Sequence, residues 1–342
     1  MKAAGYNIYL YLLLLACVCS SCDREDVTGP EAKQQQIVVL FSPGGLGDMG
    51  YNDQILRGVQ TIKKTYPQVE MFFHSPRSVE EGEALFESWL TAATDREAAS
   101  LFVLASSDYE AMAAGLLQGS AQPAPGKTIL LFESDNAQQL PLQSFRITMY
   151  GASWLAGVTA AMTPAGNALV VLANAVDLPT RHAGDGFRDG FTARSGKEVA
   201  FEYLAEDWTG YVSADKAYRN METWAETYGF VFPVAGGSNA GIYRYTREYP
   251  GGLYTAGMDI DQSPLSSQIV GSVIKHIDRL IVNYLSRWIT EGTMPGQQVY
   301  GLESGYIDWQ VPEAYLEAFL PEVERMRTTA IQKEKEHEDT GK

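Results

Sequence analysis

The sequence predicts an α/β protein of two doubly wound lobes, each built on a parallel sheet, and three observations lead there. Apolar runs of strand length alternate with amphipathic stretches of helical period along most of the chain. The alternation breaks at Trp154-Leu155-Ala156-Gly157-Val158 and then starts again. After an N-terminal leader, about 320 residues remain, too many for one ordinary core and suited to two lobes of about 150.

The leader carries one positive charge, Lys2, and the apolar run from Ile8 to Ala16. That run is far short of the roughly 20 residues that cross a bilayer, and small residues follow it, the layout of a cleaved signal over 1–21. All three cysteines, Cys17, Cys19 and Cys22, lie in this segment. The body therefore cannot use disulfides. A polar spacer without apolar period follows over 22–36.

Ile37–Phe41 reads as a buried strand, followed by a glycine-rich turn and a helix from about Asn52 to Tyr66. Val69–Phe73, Leu101–Ala105 and Thr128–Phe132 continue the strand series, with Val79 to Ala92 helical. The second series has strands at Ala168–Leu172, Val199–Tyr203, Phe230–Val234 and Leu253–Gly257. Strands separated by helices imply βαβ units and a sheet covered on both faces. The expected division is a first lobe of 37–150 plus 262–288, a second of 151–261 plus 289–327, crossovers near Tyr150, Asp261 and Trp288, and a charged tail over 328–342. No later apolar stretch is long enough to span a membrane. The net charge of −16, one unit more negative without Lys2, disfavours nucleic acid and anionic lipid as partners.

The segment Ser42-Pro43-Gly44-Gly45-Leu46-Gly47-Asp48-Met49-Gly50-Tyr51-Asn52-Asp53 joins the first strand to the first helix. Ligands of open α/β sheets sit beyond strand carboxyl ends, where glycines admit close backbone approach. The segment lacks the Lys-Ser/Thr ending of a P-loop and the dinucleotide glycine spacing. On spacing alone, a turn with an Asx helix cap explains it equally well.

An ordered set of segments resembles the BMP (basic membrane protein) family, purine-nucleoside-receptor-like lipoproteins that serve ABC importers. Gly44 to Asn52 resembles the family's opening motif, and Trp154 to Met162 its aromatic-leucine-alanine-glycine helix. Gly186-Phe187-Arg188-Asp189-Gly190-Phe191, Ala235 to Ile242, Gly257 to Gln262, Ser272 to Asp278 and Gly301 to Gly305 follow in family order, spanning about residues 37–308. The resemblance implies a type I periplasmic binding protein whose two lobes close about a hinge on a small ligand, a purine nucleoside. It implies an ABC permease as partner, a monomer and no cofactor. Asp48, Asp259 and Lys275 match positions that hold the ribose; a carboxylate can accept two hydroxyl hydrogens, and Lys275 could neutralise the pair. Asn52 belongs to the opening motif, Gly236 and Gly237 would present backbone N–H groups, and Tyr51 would stack on the base. Trp208 lies near the second aromatic, and Asp108 would read the base edge.

Plainer roles stay open: a strand-end turn for Asp259, a solvated helix lysine for Lys275, ordinary packing for Trp208 and a helix cap for Asp108. Met49 and Gly50 replace the family's lysine and serine, and Ala105-Ser106-Ser107-Asp108-Tyr109 replaces its glycine-rich turn, so the base-contacting region departs from the pattern.

Cys19-Ser20-Ser21-Cys22 resembles a lipobox, with Cys22 the acylated residue ahead of the acidic Asp23-Arg24-Glu25-Asp26 tract. Cys17 competes through Leu14-Leu15-Ala16-Cys17. The chain is then anchored in the cell envelope, on the cytoplasmic membrane facing the periplasm or on the outer membrane. A sensor that signals to a membrane partner is an alternative to transport. A nucleoside-processing enzyme is another, but the pattern speaks against it. Asp48 and Asp53 do not form the aspartate cluster of calcium-type nucleoside hydrolases. No Gly-x-Ser-x-Gly elbow or body cysteine is present, and His74, His182, His276 and His337 show no metal-ligand spacing.

Overall fold

A continuous buried run from Ile37 to Phe41 makes up most of β1 (Gln35–Phe41), which lies between β3 and the edge strand β2 in the first of two six-stranded sheets. The protein, seen in a computed structural model, is described for residues 34–93, 98–118, 123–136 and 138–340. The leader, with Cys17, Cys19 and Cys22, lies outside the described residues, as does most of the spacer. Its last two residues, Gln35 and Gln36, belong to β1: the Gln35 side chain donates to the Ile289 carbonyl at 3.0 Å, and Gln36 pairs with Glu70. Glutamines carry no apolar period, so the strand's first rung was not legible.

The first sheet contains β1 (Gln35–Phe41), β2 (Glu70–His74), β3 (Ala99–Ala105), β4 (Lys127–Phe132), β5 (Gln143–Ile147) and β11 (Gln298–Tyr300), in the order β11-β5-β4-β3-β1-β2. The second contains β6 (Ala168–Leu172), β7 (Val199–Tyr203), β8 (Phe230–Val234), β9 (Tyr254–Asp259), β10 (Ile269–Lys275) and β12 (Ile307–Gln310), in the order β12-β10-β9-β8-β6-β7. The pairings are parallel except for β12, which runs antiparallel to β10. Both orders reverse direction beside a central strand, which opens a crevice at the carboxyl ends.

Side-chain alternation explains the layers. Val38, Leu40, Phe102 and Leu104 face α2 (Val79–Thr91) and α3 (Glu110–Leu117), whereas Val39, Phe41 and Val103 face α1 (Tyr51–Thr65) and α8 (Ile277–Glu291). In the second sheet Leu169, Val171 and Val231 meet α6 (Ala214–Thr227) and α7 (Asn239–Glu248). Val170, Phe230 and Phe232 meet α4 (Tyr150–Met162) and α5 (Leu178–Ser195). α9 (Leu316–Thr340) packs against α4. No helix among the described residues is long and apolar enough to cross a membrane.

Several boundaries differ from those read in the sequence. β10 lies in the second sheet, although 262–288 was assigned to the first lobe, and β11 lies in the first sheet, although 289–327 was assigned to the second. Gly271 and Ser272 interrupt the apolar run of β10, and β11 is a three-residue edge strand, so neither carries a strong strand signal. The chain changes sheets between β5 and α4, near Tyr150, then at His276 between β10 and α8, and again between β11 and β12. The last two positions replace Asp261 and Trp288. Residues 328–340, read as part of a charged tail, are the second half of α9. Buried Glu334 accepts from the Gly151 and Leu302 N–H groups at 2.9 and 2.7 Å, which seats the helix on two of the crossings. In sequence that residue reads as one more solvated charge.

α4 and α5 cross at backbone contact because glycine faces backbone there. A Cβ on Gly157 would stand 2.1 Å from the Phe187 carbonyl oxygen, and one on Gly190 would stand 2.0 Å from that of Trp154. The recurring glycines of these two segments thus have a packing cause. Gly190→Ala is expected to lower the unfolding free energy by about 2 kcal/mol through helix displacement; urea denaturation followed by far-UV circular dichroism measures it.

Candidate functional site

The carboxyl ends of strands from both sheets surround one cleft of about 720 Å³, open solvent at its mouth included. Its first wall is the turn after β1. Asp48 Oδ1 accepts from the Gly50 and Asp53 N–H groups at 2.9 and 3.2 Å, and Oδ2 from Asn52 N–H at 2.8 Å. Asp53 answers by accepting from the Gly47 and Met49 N–H groups. Asn52 is spent on Ser42, accepting from its N–H and donating to its Oγ at 2.8 Å. Asp48 is therefore the helix cap and also a cleft residue; three of its roughly four acceptor positions are used, and one is left for a ligand. Burial raises its carboxyl, against the pull of the backbone N–H groups from Asn52, Gly50 and Asp53.

The floor is a buried ion pair. Lys275 Nζ, at the end of β10, lies 2.5 Å from Glu133 Oε1, just after β4 in the other sheet. Both side chains are at most 5% exposed. Glu133 Oε2 accepts from Ile147 N–H at 3.0 Å. The same ammonium stands 4.9 Å from the Tyr51 ring centroid, which occupies one face of that ring. The Tyr51 hydroxyl is buried without a hydrogen-bond partner. Asp259, at the end of β9, adopts a left-handed φ of 69° and is 8% exposed. Burial pushes its carboxyl up to about 6, opposed by Lys275 and reinforced by Asp48 and Glu133.

The far wall joins the lobes. Ser107 Oγ donates to Asp177 Oδ1 at 2.9 Å, and Asp177 caps α5 by accepting from Thr180 N–H. Asp108 receives the Ser106 hydroxyl at 2.8 Å; burial lifts its carboxyl to about 6, with the Ser106 bond opposing and Asp177 adding. The Tyr211 ring lies against Gly236, where a Cβ would approach the ring within 2.9 Å; Gly236 also has φ 53°. Two more bonds cross between lobes, Gln54 Nε2 to the Asp259 carbonyl at 2.8 Å and Gln262 Nε2 to the Met49 carbonyl at 3.0 Å.

The cleft brings together Asp48, Tyr51, Asn52, Asp108, Gly236, Gly237, Asp259 and Lys275. Trp208 is not on its wall; Tyr211, from the same short 3-10 turn, is. Gly210 seats that turn against Ala173 at the end of β6, which sequence spacing does not reveal. Lys275 sits on a strand, and its direct partner is Glu133 instead of the Asp48 and Asp259 pair. Glu133, Asp177 and Thr180 were missed; the Asp177-Leu178-Pro179 start of α5 was the one available signal, an acidic cap ahead of proline. Two of the four histidines without metal-ligand spacing in sequence, His182 and His337, face each other with ring centroids 4.7 Å apart.

Comparison with known proteins adds to this geometry. The family model described as "ABC transporter substrate-binding protein PnrA-like" matches residues 35–340. An uncharacterised lipoprotein of Pyrococcus abyssi is 32% identical over 88 residues, covering 25% of this chain and 22% of that protein. Basic membrane protein C of Borreliella burgdorferi is 31% identical over 83 residues, 23% of this chain and 24% of its own length. Each match thus spans under a quarter of the relative. An ABC transporter solute-binding protein from Aeropyrum pernix K1 superposes with a TM-score of 0.71 at 18% identity, over 87% of this chain and 92% of that one. It shares the two-lobe periplasmic-binding-protein fold.

Because folding lifts Asp259 from an unfolded value near 3.9 to about 6, the folded state binds its proton more tightly. The group then opposes folding by about 3 kcal/mol at pH 7, and the penalty fades as pH falls toward 4. Asp259→Asn, which tolerates left-handed φ, is expected to raise the ligand-free melting temperature at pH 7 and to leave it unchanged near pH 4. Calorimetric scans across that range check it.

Proposed function

The chain belongs to the PnrA-like substrate-binding proteins of ABC transporters, and we propose that it captures a nucleoside between its lobes while tethered to a membrane by a lipid on Cys22. The observation that carries the ligand class is one cleft that sets two tyrosines, Tyr51 and Tyr211, beside carboxylates at two levels. Asp48, with one acceptor position left, and Asp259 suit vicinal hydroxyls. The face of Tyr51 opposite Lys275 suits stacking by a planar base. Asp108 and Asp177, beyond them, suit a base edge that presents N–H donors, as guanine and hypoxanthine do.

Release follows from hinge opening. The Ser107–Asp177, Gln54–Asp259, Gln262–Met49 and Lys275–Glu133 contacts cross the cleft, and opening exchanges them for water. A bound ligand that bridges the same walls shifts that equilibrium toward closure by its differential affinity for the closed form. The tether keeps the binder near an ABC permease, and no ligand bond is made or broken. Two acyl chains give durable anchoring where one is marginal.

Isothermal titration is expected to give heat with guanosine and inosine, less with adenosine, and none with ribose alone at micromolar concentration. Heat with none of the nucleosides overturns the ligand class, and free base released during incubation overturns binding without chemistry. Affinity is expected to fall as pH drops from 7.5 to 5, as Asp259 and Asp108 protonate through about 6 and lose acceptor capacity. Palmitate labelling retained in Cys22→Ala and lost in Cys17→Ala would move the anchor to Cys17.

A further inference from the structure

We propose a transition-metal site outside the cleft, formed by His182 on α5 with His337 and Glu338 on α9. One ligand atom from each of the three lies within 4.8 Å of the others. The two imidazoles meet edge to face, at an interplanar angle of 80°. Nδ1 of each ring is buried with no hydrogen-bond partner. Buried polar atoms are nearly always partnered, and two orphaned ring nitrogens side by side, next to a carboxylate, are what a bound cation satisfies.

The surroundings are built for ligation. The Tyr150 ring stacks on His337 at 4.3 Å, which orients that imidazole. Arg146 binds both oxygens of Glu338, at 3.1 and 2.5 Å, and so orients the carboxylate while leaving each oxygen an acceptor position. Arg188 is paired with Asp185 and Asp189, so neither neighbouring arginine confronts the ion unpaired. All three residues are half-buried.

Two imidazoles and a carboxylate select a borderline cation such as Zn²⁺, with Co²⁺ as a visible substitute, over Mg²⁺ or Ca²⁺. Metal–ligand bonds of about 2.0–2.2 Å need a smaller ligand triangle than the present one. Turning a ring about χ2, a broad torsion for histidine, supplies it. Water completes the fourth position. The ion would bind α5 to α9, the helix whose Glu334 holds two crossings, and so would stiffen the frame around the hinge without entering the cleft.

Protein stripped with EDTA and titrated with Zn²⁺ against a chromophoric chelator is expected to retain one equivalent and to melt at higher temperature with it. Co²⁺ should give the visible bands of a tetrahedral site. His182→Gln and His337→Gln should each weaken Zn²⁺ at least tenfold, and His74→Gln should not. No stoichiometric retention by the wild type overturns the site, as does undiminished affinity in the double variant His182→Gln/His337→Gln. Should that variant fail to fold by circular dichroism, Glu338→Gln decides in the same assay: weakened Zn²⁺ supports the site and unchanged affinity overturns it.

Discussion

A single buried ion pair holds the two halves of the cleft in register. Lys275 ends β10 in one sheet, Glu133 follows β4 in the other, and at their present burial neither can lose its partner without stranding a charge away from water. Removing one member of such a pair costs about 3–5 kcal/mol, although the pair itself contributes little net stability. Its worth is positional. It places an ammonium against the Tyr51 ring, draws the raised Asp259 carboxyl back down, and aligns the Glu133 carboxylate on the Ile147 N–H.

Around that pair the cleft is strongly acidic: Asp48, Asp108, Glu133, Asp177 and Asp259 share its lining with the one ammonium of Lys275. Desolvation drives several of these carboxyls upward, so gathering them here costs electrostatic free energy. In the proposed reading, donor groups on a ligand would offset that desolvation, favouring hydroxyl-rich, N–H-bearing molecules. Asp48 and Asp177 line the cleft and also serve as helix caps, so the proposed recognition would draw on carboxylates that hold the structure.

Much of this was legible from residue order. Strands such as Ala168–Leu172 and Phe230–Val234 are continuous apolar runs, as fully covered parallel strands must be, and they read directly. The Gly44–Asn52 turn also announced itself, since its glycines and its Asp48 cap sit at local spacing. What stayed hidden depends on tertiary placement. β10 is broken by Gly271 and Ser272, where a Cβ at 271 would strike Trp309 at 2.2 Å, a contact from a strand nearly forty positions away. Glu133 and Tyr211 carry no local pattern that separates them from surface residues, and their roles exist only because the lobes meet. Glu334 was hidden for the opposite reason: a charged residue in a charged helix gives no hint that it is buried on backbone N–H groups.

The crossings have a further consequence for how the molecule is made. The first sheet lacks its covering helix α8 and its edge strand β11 until the polypeptide has passed residue 300, and the second lacks β10 and β12 until nearly the same point. α9, which clasps two crossings through Glu334, follows both sheets in the chain. Neither sheet can therefore complete itself before the chain has reached β11 and β12, so the order of assembly is set by topology.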